Sequence, residues 1–172
     1  IGVLRKLPEA RPAALQLSAQ IAELRGDEAQ AVRLFEQMAN DPATAFLGVR
    51  GLLQQAIRRQ AWRDALPLAE RATQLMPGSG WAADALLTAQ LRLGRYQDAA
   101  ATLDHASGKR LLPASDLPRR RAEVLLGRSE ESAGDEALEF ARKAHGDDPA
   151  FPAAAARYAH LLIGQNKLRK AI

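Results

Sequence analysis

Small and apolar residues recur along this chain with a period of about 34 residues. Four similar stretches, "DEAQAVRLFEQM", "WRDALPLAERAT", "YQDAAATLDHAS" and "DEALEFARKA", align on one small residue. The alanine column is Ala31, Ala65, Ala99, Ala137 and Ala171. Four residues later stand Phe35, Ala69, Leu103 and Ala141, and three further on stand Met38, Ala72, Ala106 and Ala144. Offsets of four and seven share one helical face, so the pattern predicts a recurring helix with a buried face.

A first helix precedes this second helix in every period. The predicted turn between them lies five residues before each alanine, at Gly26, Gln60, Gly94, Ser132 and Asn166. The predicted inner face of the first helix lies thirteen residues before each alanine, at Ser18, Leu52, Leu86, Val124 and Tyr158. Pro42, Pro77 and Pro149 follow the second helices, and we expect them to end those helices.

A 34-residue repeat of two amphipathic helices, with close-packing alanines and a proline at the exit, resembles the tetratricopeptide repeat. The predicted fold class is therefore all-α, a right-handed superhelical array of about five helix pairs. We expect a single repeat domain over 1–172, with units at 12–42, 45–77, 79–113, 115–149 and 151–172. The chain begins at Ile1 and stops inside the last unit, so we expect it to be a fragment of a longer protein.

The period lengthens by four residues between the third and fourth units, in "SGKRLLPAS" at 107–115. Gly108 and Pro113 predict a longer loop there. A hinge or contact loop is one interpretation, and a tolerated surface insertion is the favoured one.

Composition adds the expected class of protein. Alanine and leucine dominate, aromatic residues make up 5%, and the net charge is +4 with acidic and basic residues interleaved. Nucleic-acid binding needs a denser basic face, whereas the arginines here alternate with acidic residues such as Glu23, Asp84 and Glu123. We therefore expect no nucleic-acid partner.

The sequence offers little catalytic chemistry. There is no cysteine, and His105, His145 and His160 share no short spacing with one another or with a pair of carboxylates. No glycine-rich phosphate loop is present, and "GSG" at 78–80 is typical of a turn before a new helix. We predict a protein that is not an enzyme, with no catalytic residues, no metal site and no cofactor.

The first helices of such an array line its concave surface, which is the usual binding face. The predicted partner-binding residues are Arg50, Gln54, Arg58, Trp81, Asp84, Thr88, Arg92 and Arg119. Gln16, Gln20 and His160 are expected on the same face. This groove is polar and moderately basic, and it suits an acidic or carboxylate-bearing protein or peptide partner. The oligomeric state is left open.

The aromatic residues divide into two groups. Trp62 and Tyr96 start second helices, 34 residues apart, and are expected to wedge between the two helices of their own repeat rather than to stack on a ligand. Trp81 stands near the start of a first helix, and burial and exposure for binding are equally supported there.

Three adjacent arginines begin the first helix of the fourth unit, in "LPRRRAEVLLGR" at 117–128. Asp116 or Ser115 is expected to cap this helix. Arg119 and Arg120 can both pair with Glu123, and Arg119 alone is expected to face the groove. The stem of Arg121 is expected to pack against the preceding unit.

Three stretches together resemble a narrower family. They are "FLGVRGLLQQAIRRQAW" at 46–62, "LPRRRAEVLLGR" at 117–128 and "DPAFPAAAARYAHLL" at 148–162. Their order and spacing are similar to those of the HemY family, tetratricopeptide-repeat proteins of the bacterial inner membrane associated with haem biosynthesis.

The HemY resemblance implies a membrane anchor N-terminal to this chain, with the repeat domain on the cytoplasmic side. It also implies a non-catalytic scaffold that holds enzymes or intermediates of late haem and porphyrin biosynthesis. Two alternatives stay open: a general peptide-binding adaptor in envelope assembly, and direct tetrapyrrole binding with arginines on the propionates and His160 as axial ligand.

Overall fold

The computed structural model describes residues 11–164, which form nine α-helices and no β-strand. The helices are α1 (Arg11–Leu24), α2 (Glu28–Ala39), α3 (Ala45–Arg58), α4 (Trp62–Leu75), α5 (Gly80–Arg92), α6 (Tyr96–Gly108), α7 (Leu117–Glu131), α8 (Gly134–Asp147) and α9 (Pro152–Gly164). Consecutive helices pair as α1 with α2, α3 with α4, α5 with α6 and α7 with α8, and α9 packs on α8. No helix in 11–164 is both long enough and apolar enough to cross a bilayer.

Contacts divide the chain into two units, with the boundary between Pro77 and Gly78. Unit 1 contains α1 to α4, and unit 2 contains α5 to α9. The interpretation of 1–172 as one domain stays a prediction, and Asn166 and Ala171 lie outside the described residues.

The alanine column forms the buried side of the second helices. Ala31, Ala65 and Ala99 are fully buried and Ala137 is 1% exposed. The columns four and seven residues later are buried as well, from Phe35 and Met38 to Ala141 and Ala144. These columns confirm the predicted core face of α2, α4, α6 and α8.

The first helices are buried one position away from the predicted inner column in the first three repeats. Ala19, Leu53 and Leu87 are fully buried, whereas Ser18, Leu52 and Leu86 are only half-buried. In the fourth repeat Val124 is buried as predicted. The first helices α3, α5 and α7 each pack against their own partner and against a neighbouring pair, so their buried stripe is wider than one column.

Unit 2 has a core that includes the inserted loop. Leu112 is buried and packs in one cluster with Leu87, Leu103 and Val124. The favoured interpretation of 107–115 as a surface insertion is therefore wrong for Leu112, because its side chain packs between α5, α6 and α7.

Three turns between paired helices share one backbone geometry. Gly26, Gln60 and Gly94 have φ of 73°, 56° and 72°, in the left-handed region. In each turn the next amide donates to a carbonyl five residues back, as in the Ala61 N to Ala56 O bond of 2.9 Å. Ser132 does not share this geometry; in that turn Gly134 has the positive φ, of 58°.

Replacing Gln60 by glycine is expected to raise the free energy of unfolding by about 0.5–1 kcal/mol. A side chain at positive φ is strained by contact between Cβ and the backbone, and glycine removes that contact at some cost in unfolded-state entropy. Urea unfolding measures the change as a higher midpoint at unchanged slope. Gly26→Ala is the matched control: an added Cβ meets nothing within 4 Å, yet φ is 73°, so stability should fall. A lower midpoint for Gln60→Gly would contradict the interpretation.

Candidate functional site

Among the residues that the structure describes, several clefts lie along the first helices, and those considered below are each formed within one unit. The Tyr96 cleft, of about 270 Å³, lies between α5, α6 and α7 with Phe151 at its edge. The loop cleft, of about 390 Å³, lies between the start of α5, the inserted loop and the start of α7. In unit 1, the α1–α3 cleft lies between α1, the end of α2 and α3, and its volume is about 200 Å³. The Gln55 cleft lies between the end of α1, the start of α2 and the end of α3, and its volume is about 510 Å³.

The predicted partner-binding residues of unit 2 are divided between its two clefts. Thr88 and Arg92 line the Tyr96 cleft, while Trp81 and Asp84 line the loop cleft. Trp81 is half-buried there beside Leu111 and Pro113, with its accessible part facing a cleft. Because residues of the insertion line this cleft, its interpretation as a contact loop gains support.

The predicted partner-binding residues of unit 1 also lie along two clefts. Arg50 and Gln54 line the α1–α3 cleft together with Gln16 and Gln20. Arg58 lines the Gln55 cleft, where its Nη2 lies 2.8 Å from Glu23 Oε1. The predicted binding residues of α3 therefore line clefts, while their role in binding a partner stays a prediction.

Arg120 occupies the position that was assigned to Arg119. Its Nη2 lies 2.6 Å from Asp84 Oδ1, its Nη1 lies 3.3 Å from Glu123 Oε2, and it lines both clefts of unit 2. The expectation that Arg119 alone faces the groove is wrong. An arginine stem is long enough to lean toward either neighbour, and the Asp84 carboxylate on α5 directs Arg120 into the space between α5 and α7.

Arg119 forms part of a separate contact with α9. Its guanidinium carbon lies 3.5 Å from the centroid of the Phe151 ring, and its Nε lies 3.1 Å from Glu123 Oε1. Its Nη1 also lies 3.5 Å from Asp148 Oδ2. The prediction that Glu123 pairs with both arginines is confirmed. These contacts join the start of α7 to the start of α9.

Arg121 and Asp116 differ from expectation. Arg121 is exposed, and the fully buried residue of this turn is Ala122. Asp116 is the N-cap residue, but its carboxylate accepts from Ser115 Oγ at 2.8 Å instead of from the helix backbone. A small side chain fits the tight α7 contact, and this leaves the long arginine for solvent.

Tyr96 forms one wall of the cleft that carries its name. Its ring packs against Gly127 of α7, the first helix of the next pair, and the expected wedge within its own repeat stays a prediction. Burial raises the pKa of Tyr96, and the nearby charges of Glu130 and Glu131 raise it further. The phenol therefore keeps its proton at neutral pH and can donate a hydrogen bond into the cleft.

The Tyr96 cleft is balanced in charge. Arg92 and Arg120 face Glu123 and Glu130, with Leu91, Leu126 and Phe151 supplying apolar surface. Such a lining suits a peptide segment that combines an apolar side chain with a polar group. Within 11–164, no group of three or more His, Asp or Glu side chains is placed to hold a metal ion.

The sequence matches no protein-family model and no curated protein. Among solved structures, MamA of AMB-1 is similar with a TM-score of 0.65 and 18% identity, over 95% of this chain and 87% of that chain. YrrB, described as a TPR protein with an unusual peptide-binding site, is similar with a TM-score of 0.63 and 16% identity, over 90% and 77%.

This chain has the tetratricopeptide fold. A third similar structure, MamA 41-end from Desulfovibrio magneticus RS-1, has a TM-score of 0.60 and 16% identity, over 93% of this chain and 88% of that chain. The predicted fold class, an all-α array of the α-α superhelix type, is confirmed by these neighbours. The narrower resemblance to the HemY family stays a prediction.

Proposed function

We propose that this chain is a non-catalytic scaffold that binds a segment of a partner protein along the first helices of its repeats. The observation that carries the proposal is the Tyr96 cleft, where two predicted binding residues, Thr88 and Arg92, meet apolar and charged side chains from α6, α7 and the start of α9. The similarity in fold to YrrB, whose description mentions a peptide-binding site, supports the same class of function.

The lining of the Tyr96 cleft suits a peptide segment. Its volume is about 270 Å³. One or two side chains fill such a space. An apolar partner side chain fits against Leu126 and Phe151, while a partner carboxylate would be recognised by Arg92, an exposed residue of the cleft lining.

The partner assignment comes from the sequence. We propose that the partner belongs to late haem biosynthesis and that the intact protein is held at the bacterial inner membrane by a segment N-terminal to this chain. The three HemY-like stretches support this assignment, and each includes residues that line a cleft: Arg50 and Gln55 in the first, Arg120 in the second and Phe151 in the third. A general adaptor in envelope assembly is the alternative within the same binding class.

Charge reversal tests the groove assignment. Arg92→Glu and Arg50→Glu, made separately, should each weaken capture of the proposed haem-biosynthesis enzymes at least tenfold, because a carboxylate then faces the partner's carboxylate. Arg33→Glu is the matched control, since Arg33 is an exposed arginine on the second helix α2. Circular dichroism should show unchanged helix content in all three. Undiminished capture by folded Arg50→Glu and Arg92→Glu would overturn the assignment.

A haem titration separates the scaffold from a direct tetrapyrrole carrier. His160, the candidate axial ligand, is exposed on α9. The scaffold proposal predicts no Soret shift with the purified chain. A shift that is lost in His160→Ala would favour direct tetrapyrrole binding instead.

A further inference from the structure

The Gln55 cleft contains a polar group that the fold leaves unsatisfied. The cleft lies where the α1–α2 turn faces the last turn of α3, and Gln20, Leu24, Gly26, Gln55 and Arg58 line it. Gln55 is 4% exposed. Within the described part of the chain, neither its side-chain nitrogen nor its side-chain oxygen has a hydrogen-bond partner.

Of the other buried polar side chains in 11–164, Thr44 and Ser129 are satisfied, whereas Gln90, 5% exposed, lacks a partner at Oε1. Thr44 Oγ1 donates to Met38 O at 2.8 Å, and Ser129 Oγ donates to Ala137 O at 2.7 Å. A buried amide with two unpaired atoms destabilises a fold, because both atoms lose their bonds to water without replacement. A leucine or methionine at position 55 would avoid this loss, so the glutamine calls for a reason outside the packing of unit 1.

The surroundings of Gln55 indicate the chemistry of an occupant. Glu23 is ion-paired with Arg58, and Glu28, which also lines the cleft, is ion-paired with Arg59. The charges at the rim are thus already compensated, and a neutral group fits better than a charged one. Leu24, on the same rim, is 88% exposed and offers apolar contact.

We propose that the Gln55 cleft binds an extended, uncharged segment of a partner protein through its main chain. A glutamine amide presents a donor and an acceptor side by side, which complements the C=O and N–H of one peptide residue. An apolar side chain of the same segment packs on Leu24. The Arg58–Glu23 pair lines the same cleft as the amide. The Arg58 side chain is 59% exposed, so this pair can open at small cost when the segment enters.

This site extends the proposed scaffold function to a second surface, distinct from the Tyr96 cleft. Its test is a selection of random dodecapeptides, displayed on phage, against the full 172-residue chain. Selected peptides should bind Gln55→Met at least tenfold more weakly. Methionine has a similar length, but it lacks the hydrogen-bond donor and acceptor of an amide. Gln55→Met should also melt at a higher temperature than the unsubstituted chain, because the unpaired amide is gone.

A surface variant keeps the test independent of folding. Leu24→Ser changes a side chain that is almost fully exposed, and it should weaken the same peptides severalfold. Leu17→Ser, also on α1 and exposed but outside the cleft lining, should leave their binding unchanged. Peptides that lose binding with Arg92→Glu but not with Gln55→Met would support the Tyr96 cleft alone and overturn this proposal. A selection without binders, or with binders indifferent to both Gln55→Met and Leu24→Ser, would overturn it as well.

Discussion

Replacing Gly48 by alanine is expected to destabilise unit 1 by about 2–3 kcal/mol. Gly48 lies in α3 where this helix crosses the end of α2, and a Cβ there would lie 2.5 Å from Phe35 O and 2.7 Å from the Met38 carbonyl carbon. These neighbours are backbone atoms of α2, so no change of rotamer can make room. Alanine's better helix propensity, worth about 0.5–1 kcal/mol, offsets only part of the loss.

Urea unfolding followed by circular dichroism measures this change. Gly146→Ala is the matched control, because Gly146 also lies inside a helix, α8, and an added Cβ meets nothing within 4 Å there. That substitution should stabilise the chain by a few tenths of a kcal/mol to about 1 kcal/mol. Equal effects of the two substitutions would show that α2 and α3 do not approach as closely as the structure places them.

The second helices were predictable because their buried residues recur at regular spacing. Their buried positions are alanines or single large residues at offsets of zero, four and seven, and the spacing alone locates them. The positions of the Ala31 and Ala65 side chains are fixed by the helix backbone alone, because alanine has no side-chain rotamers. Periodicity therefore predicted the fold class and the core face of α2, α4, α6 and α8.

The first helices were less predictable because they are packed on more than one side. α3 contacts both α2 and α4, and its buried residues include Gly48, Leu53 and Gln55. The wide buried surface of α3 includes a polar residue, Gln55, which the periodic pattern assigns neither to the core face nor to the exposed face. Gln55 was accordingly missed, although its polarity at a position between the buried Leu53 and Ala56 was a usable signal.

The arginines show the limit of sequence reasoning at the candidate site. Helical spacing gave the Glu123 pairs correctly, since i, i+3 and i, i+4 neighbours are fixed by the backbone. It could not give the Arg120–Asp84 pair, which joins residues 36 positions apart on two helices. The partner of a long side chain depends on tertiary contacts. The sequence therefore placed both arginines at the start of α7 but misassigned which of them lines the clefts.

Gly127 and Tyr96 link the fold to the candidate site, and their coupling is the second large effect expected. A Cβ on Gly127 would lie closer than 3.0 Å to three atoms of the Tyr96 ring. Gly127→Ala should therefore cost about 1–3 kcal/mol by overpacking α7 against that ring. The ring is a side chain, so it can yield by moving into the Tyr96 cleft, and binding of the partner segment should weaken together with stability.

A double-mutant cycle tests this steric explanation. In a Tyr96→Ala background the ring is absent, so Gly127→Ala should become neutral or stabilising by about 0.5–1 kcal/mol, as for alanine in any uncrowded helix. The coupling free energy between the two positions is then about 2 kcal/mol, measured from four urea midpoints. An equal cost in both backgrounds would place the strain in the α7 backbone instead. A coupled result would mean that the glycine is required because the wall of the cleft is built from the second helix of one pair pressed against the first helix of the next.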